Sequence, residues 1–366
     1  MRGDMKYWRV GVLLLLSMAA VMQAAASATE VDVAEHGGQN RNELVLQVMQ
    51  AQSANQYDQA ITLYQQLLQL DANDSWVLYG LAYVYGIKQE LKNCIDYAKR
   101  AVKRDSEVRA AAYLVLGSCQ DESGASRQAV KTFAKGVKLY PKDARLNYNY
   151  ALALMRRSEV SKAIKPLQVA IDEAPEYSSP YLTYSGLLQV MGSRAGMTLM
   201  GLRFLMVEPE SDRAPELVKL LDQASIDAAE QFSTQKRAII HVSVGALLFH
   251  DELVNADMIY PGVSAKARKA AAEKGLHAAD QFVWAVASFL SVLANEQNEN
   301  STNGFVWTHA YNSLHTLRER GALVVWLYHV AAIAELEGAQ SWLNAHEAEV
   351  FALTKVMNDF PGGRLR

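Results

Sequence analysis

The side chains of this 366-residue chain best suited to acid–base or metal chemistry are His241, His250, His277, His309, His315, His329 and His346. Their densest groupings are His250-Asp251-Glu252 and His346-Glu347. Adjacent residues on a helix diverge, so neither grouping has the H-E-x-x-H spacing that puts two imidazoles on one face with a base between them. Both read as solvated helix ends. The chain also lacks a G-x-S-x-G elbow, a phosphate-cradling G-x-x-x-x-G-K-[ST] loop and a cysteine pair at metal spacing. The expectation is no catalytic residue, no metal ligand set and no cofactor. Trp307, Trp326 and Trp342 could stack on a ligand, but core or interfacial packing is the default for indoles.

The two cysteines, Cys94 and Cys119, raise a redox question. A disulfide needs a Cα separation that sequence cannot supply, so a bonded pair and two buried thiols both stand as readings. The compartment bears on the choice. Arg2, Lys6 and Arg9 precede an apolar run from Val10 to Met22, and Ala26-Ser27-Ala28 offers small residues at cleavage positions. This pattern predicts an export signal over residues 1–28, cut after Ala28, with a short flexible segment over 29–40. An N-terminal membrane anchor is the competing reading; the apolar run is short for a span. The predicted location is periplasmic or secreted, with no stable membrane insertion after cleavage.

Composition is that of a globular protein: 50% apolar, 20% charged and a formal charge of -3. Such a net charge gives no reason to expect nucleic acid or an anionic membrane as partner. The length favours two regions over one core.

What positions the two cysteines is a repeat. Tyr57-Asp58-Gln59-Ala60-Ile61, Leu91-Lys92-Asn93-Cys94-Ile95, Ser126-Arg127-Gln128-Ala129-Val130 and Val160-Ser161-Lys162-Ala163-Ile164 align, with Ala60, Cys94, Ala129 and Ala163 separated by 34, 35 and 34 positions. That period marks a helix–turn–helix unit that buries its apolar face only by stacking on its neighbours. Small residues at Ala82, Gly117 and Ala151 would admit the facing helix, and Tyr64 and Phe133 would fill the space between pairs. Pro141, Pro175 and Pro209 would end helices and turn the chain.

Residues 41–209 therefore resemble the tetratricopeptide repeat family. The third unit matches best, through Tyr113, Leu116, Gly117, Gly124, Ala129, Phe133, Gly136 and Pro141. A degenerate fifth unit keeps Tyr181, Tyr184, Gly192 and Pro209. The resemblance implies an all-α, right-handed superhelical array of helical hairpins and a non-catalytic role in holding proteins or peptides along the first helices. The family's carboxylate-gripping lysines and asparagines are missing at the corresponding positions. Helix geometry puts Trp76, Tyr79 and Tyr83 on one face, with Leu114, Tyr148 and Leu152 at matching places. These six are the predicted apolar and aromatic groove. Alternatively, another part of the chain fills that face.

Residues 210–366 lose the repeat register and read as a helical bundle or cap. Helices are predicted over 213–231, 237–255, 265–295, 305–320, 323–336 and 340–358, with a turn at Met258-Ile259-Tyr260-Pro261-Gly262. The leading functional expectation is an exported adaptor in envelope or secretion-related assembly. The rival is a hydrolase or ligand-binding domain in residues 210–366, which a polar pocket joining His250, His309 or His329 to carboxylates would favour.

Overall fold

The computed structural model describes residues 37–234, 253–295, 304–358 and 360. The predicted signal, its cleavage position, the segment before residue 37, most of the predicted 237–255 helix and His241 and His250 lie outside the described residues. Two compact units divide after Val169.

The first unit is built from helical hairpins: α1 (Gly37–Ser53) with α2 (Tyr57–Leu70), α3 (Ser75–Ile87) with α4 (Leu91–Ala101), α5 (Arg109–Glu122) with α6 (Ser126–Leu139), and α7 (Ala144–Arg156) with α8 (Val160–Glu173), which runs through the dividing point. First helices also touch first helices, α3 on α5 and α5 on α7. The anchors Ala60, Cys94, Ala129 and Ala163 are all fully buried, as the repeat requires. Gly117 is indispensable to the packing, because a Cβ there would lie 2.5 Å from the Phe133 ring. Gly80 stands in the same relation to Tyr64, at 2.2 Å from its Cζ.

Each hairpin closes through one left-handed residue. Asn55, Gln89, Gly124, Ser158 and Gly192 have φ of 56°, 60°, 85°, 59° and 84°. The next amide in each case donates back five positions, from Gln56, Glu90, Ala125, Glu159 and Ser193 to the carbonyls of Ala51, Tyr85, Gln120, Leu154 and Leu188. This is the helix-ending geometry that rewards glycine, yet only two of the five positions hold one. The fifth hairpin, degenerate in sequence, closes like the others.

The second unit begins with that hairpin, α9 (Ser178–Val190) and α10 (Arg194–Val207). It continues with α11 (Ala214–Thr234), α12 (Val254–Glu273), α13 (Ala278–Asn295), a π-helical turn at Trp307–Tyr311, α14 (Asn312–Glu319), α15 (Leu323–Ile333), α16 (Ala339–Ala345) and α17 (Glu347–Met357). The compact units thus divide within α8, inside the residues read as the repeat array. Helix α10 is buried at every position from Ala195 to Val207, and it packs on α11 and α12. A Cβ at Gly196 would meet Leu253 at 2.7 Å, and one at Gly201 would meet Leu221 at 3.1 Å. Glycine here admits close packing within the second unit.

Three local expectations are corrected. The predicted turn at 258–262 is interior to α12, despite Pro261. Tyr260 is buried edge-on against Phe289, 4.8 Å between ring centroids, so packing outweighs the hydrogen bond that proline removes. The predicted 265–295 helix breaks at Gly275, φ 68°, and the last predicted helix breaks at His346 between α16 and α17. No described helix is long and apolar enough to cross a membrane.

Candidate partner-binding face

Helix α3 starts on a well-made cap. Asp74 accepts from the amides of Trp76 and Val77 at 2.9 and 3.2 Å, and Arg41 of α1 pairs with its other oxygen at 2.8 Å. A carboxylate at this end meets the orphan amides and the positive pole of the helix. Asp143 does the same for α7, accepting from Leu146 at 2.8 Å. These caps fix the rotation of the first helices, and so the face each presents.

The six predicted groove residues divide. Trp76, Tyr79, Tyr83 and Tyr148 are 9%, 1%, 6% and 5% exposed; Leu114 and Leu152 are half-buried. The aromatic part of the face is therefore closed to water. Trp76, Tyr79 and Tyr83 belong to one apolar cluster with Val45 and Val48 of α1 and Leu78 and Leu81 of their own helix. Every residue from Trp76 to Tyr85 is buried, which is the behaviour of a helix apolar all round. An open groove centred on Tyr79 and Tyr83 is corrected accordingly. The large rings cannot shed their apolar surface into water, and the cluster takes them in.

The accessible part of the first-helix face lies on α5 and α7. Leu114 and Leu152 sit there with half-buried Ser118 and Arg145. Arg156 donates from Nε to Asp121 at 2.8 Å, joining these two helices, with the guanidinium side 41% exposed and the carboxylate 6%.

Cys94 of α4 and Cys119 of α5 form a disulfide, with Cα atoms 6.4 Å apart. Both are buried. A Cβ at Gly86 would lie 3.3 Å from the Cys119 sulfur and 3.6 Å from that of Cys94, so the glycine at the end of α3 makes room for the bridge. Of the two readings the sequence allowed, the structure takes the bonded one.

The described histidines make separate contacts. His309, in the π-helical turn, donates from Nε2 to Asp172 at 2.8 Å and lies tilted against the Phe305 ring, 4.3 Å between centroids. Burial holds its imidazole below the usual range against the pull of Asp172. Burial likewise lowers His329, opposed by Glu210. His346 stacks on Trp342, which stacks on Tyr328 at 3.9 Å. Among the described residues no three histidine, cysteine or carboxylate side chains come together as a metal site. The Asp172–His309 contact and the π turn are features that sequence reasoning missed; a lone histidine in an apolar stretch carries no signal of its distant partner.

Comparison with known proteins agrees with this architecture. Residues 53–88 match a TPR repeat model and residues 121–178 a tetratricopeptide repeat model. The chain carries tetratricopeptide repeats. Among solved structures it is similar to MamA, with 21% identity over 51% of this chain and 97% of that one and a TM-score of 0.37. It is also similar to a MamA RS-1 double mutant, with 16% identity over 47% and 97% and a TM-score of 0.42. A further likeness is to YrrB, described as a TPR protein with an unusual peptide-binding site, with 16% identity over 44% and 84% and a TM-score of 0.37. Scores of this size transfer nothing about partners. No curated protein matches the chain.

Proposed function

We propose that this protein is a non-catalytic scaffold that holds a protein or peptide partner on the first-helix face of its third and fourth repeats. The observation that carries the reading is that Leu114 and Leu152 stay half-open on α5 and α7, the two helices tied by the Arg156–Asp121 pair, with Arg145 and Arg156 at helical spacing from Leu152. Apolar contacts framed by charge suit a partner with an apolar side chain and a polar margin. The buried rings of α3 serve as the wall behind that surface, not as contacts.

The scaffold works outside the reducing cytoplasm, in envelope or secretion-related assembly. Support for this comes from the basic, apolar and small-residue order of residues 2–28 and from the Cys94–Cys119 bridge, a bond that persists in oxidising compartments.

A photocrosslinking residue placed at Leu114 or Leu152 in living cells tests the binding face, with Gln128 on the exposed side of α6 as control. The expected result is one discrete protein adduct at 114 and 152 and none at 128. Folded protein with no adduct at either leucine, or the same adducts at all three positions, overturns the reading.

A further inference from the structure

The overall charge of -3 conceals a segregation: residues 88–165 hold seventeen basic and eight acidic side chains, a balance of +9. The excess is sharpest on α6. Arg127, Lys131, Lys135 and Lys138 follow one another at intervals of four, four and three, so they share one helical face. All four are exposed, and α6 contains no acidic residue. At 1.5 Å per residue the row is about 16 Å long. Its direction is set from behind, because Ala129, Phe133 and Gly136 are buried on the opposite side of the helix.

The acidic residues nearby are engaged elsewhere. Asp143 caps α7, Asp121 pairs with Arg156, Asp105 with Arg109, and Glu159 with Arg157 and Lys162. Among the described residues no carboxylate pairs with the α6 row; Lys135 lies over the Tyr113 ring at 5.9 Å. The exposed sides of the neighbouring second helices extend the field. Lys92, Lys99 and Arg100 are exposed on α4, diluted by Asp96, and Lys165 on α8, with Lys103 and Arg104 in the turn after α4. At the end of the row Leu139 is 45% exposed among these cations.

We propose that the outer side of these second helices is a peripheral docking surface for a bilayer rich in anionic phospholipid. Lysines outnumber arginines in the row three to one. Ammonium groups act as mobile point charges toward a field of headgroups, whereas reading individual phosphates or bases favours the planar fork of arginine. Three adjacent hairpins present their charges together, and each lysine held near such a surface strengthens binding about fivefold. Leu139 supplies an apolar side chain for the headgroup boundary. The first-helix face is on the other side of the hairpins, so membrane and partner do not compete.

Sedimentation of the purified protein with vesicles tests this, comparing phosphatidylcholine alone with phosphatidylcholine mixed with phosphatidylglycerol, at low and physiological salt. Binding is expected to the mixed vesicles only and to weaken as salt rises. The Lys131→Gln/Lys135→Gln/Lys138→Gln variant is expected to lose about a hundredfold in partitioning with unchanged thermal melting, and single changes about fivefold each. Lys266→Glu/Lys269→Glu, at exposed positions of α12, is expected to leave binding intact. Absence of binding to the mixed vesicles, or binding indifferent to the triple change, overturns the proposal. So does capture of a duplex oligonucleotide through the same lysines without vesicle binding.

Discussion

Replacing both Cys94 and Cys119 with alanine removes the one covalent tie between the second and third hairpins. The bridge spans 25 residues of sequence, and the loop-closure relation assigns a crosslink of that span about 3.5 kcal/mol at 25 °C, through restriction of the unfolded chain. Each hairpin contacts mainly its neighbours, so the loss is expected first at the α4–α5 junction, where amide hydrogen exchange should accelerate. Urea unfolding followed by far-ultraviolet circular dichroism should lose about 3.5 kcal/mol relative to the unreduced wild type. Thiol titration of wild type recovered from an oxidising compartment and denatured without reductant should find no free thiol. Two titrating thiols in that sample, or a double variant within about 1 kcal/mol of wild type, would refute the staple and remove a main support for the exported location.

Four further outcomes follow from the packing. Gly117→Ala should cost about 1–3 kcal/mol in urea unfolding, because the new methyl must displace the Phe133 ring. Tyr79→Ala/Tyr83→Ala should lower the melting temperature sharply, at about 3 kcal/mol per ring by analogy with other buried aromatics; unchanged melting would reinstate them as surface contacts. Ser158→Gly should stabilise by up to about 1 kcal/mol, since residue 158 is exposed and held at φ 59°. Burial pushes the Asp257 carboxyl up to about 6 while its Oδ1 accepts from the Ala195 amide at 2.9 Å. A raised pKa contributes stability that is complete below the unfolded value near 3.8 and is lost as pH rises through 6. Asp257→Asn should therefore gain on wild type as pH rises from about 4 to 6, the gain levelling off above pH 6 at about 3 kcal/mol; a pH-independent difference would exclude that origin.

The sequence by itself determined the hairpin period and its anchors. Ala60, Cys94, Ala129 and Ala163 are buried where the spacing put them, because a stack of near-identical units imposes the same steric demand at each repeat. It also placed the aromatics of α3 on a common face. What that face meets was a tertiary outcome: a ring that is apolar on every side of its helix goes to whichever apolar surface covers it first, and the rings of Tyr79 and Tyr83 joined the cluster with Val45 and Val48. The bridge between Cys94 and Cys119 needed two hairpins docked before its geometry existed. Helix α12 ran on through Pro261, and the hairpins closed left-handed at Asn55, Gln89 and Ser158 without glycine. In each of these places, burial summed over many contacts outweighed a local preference worth about 1–3 kcal/mol, and a local preference is all that a few consecutive residues can display.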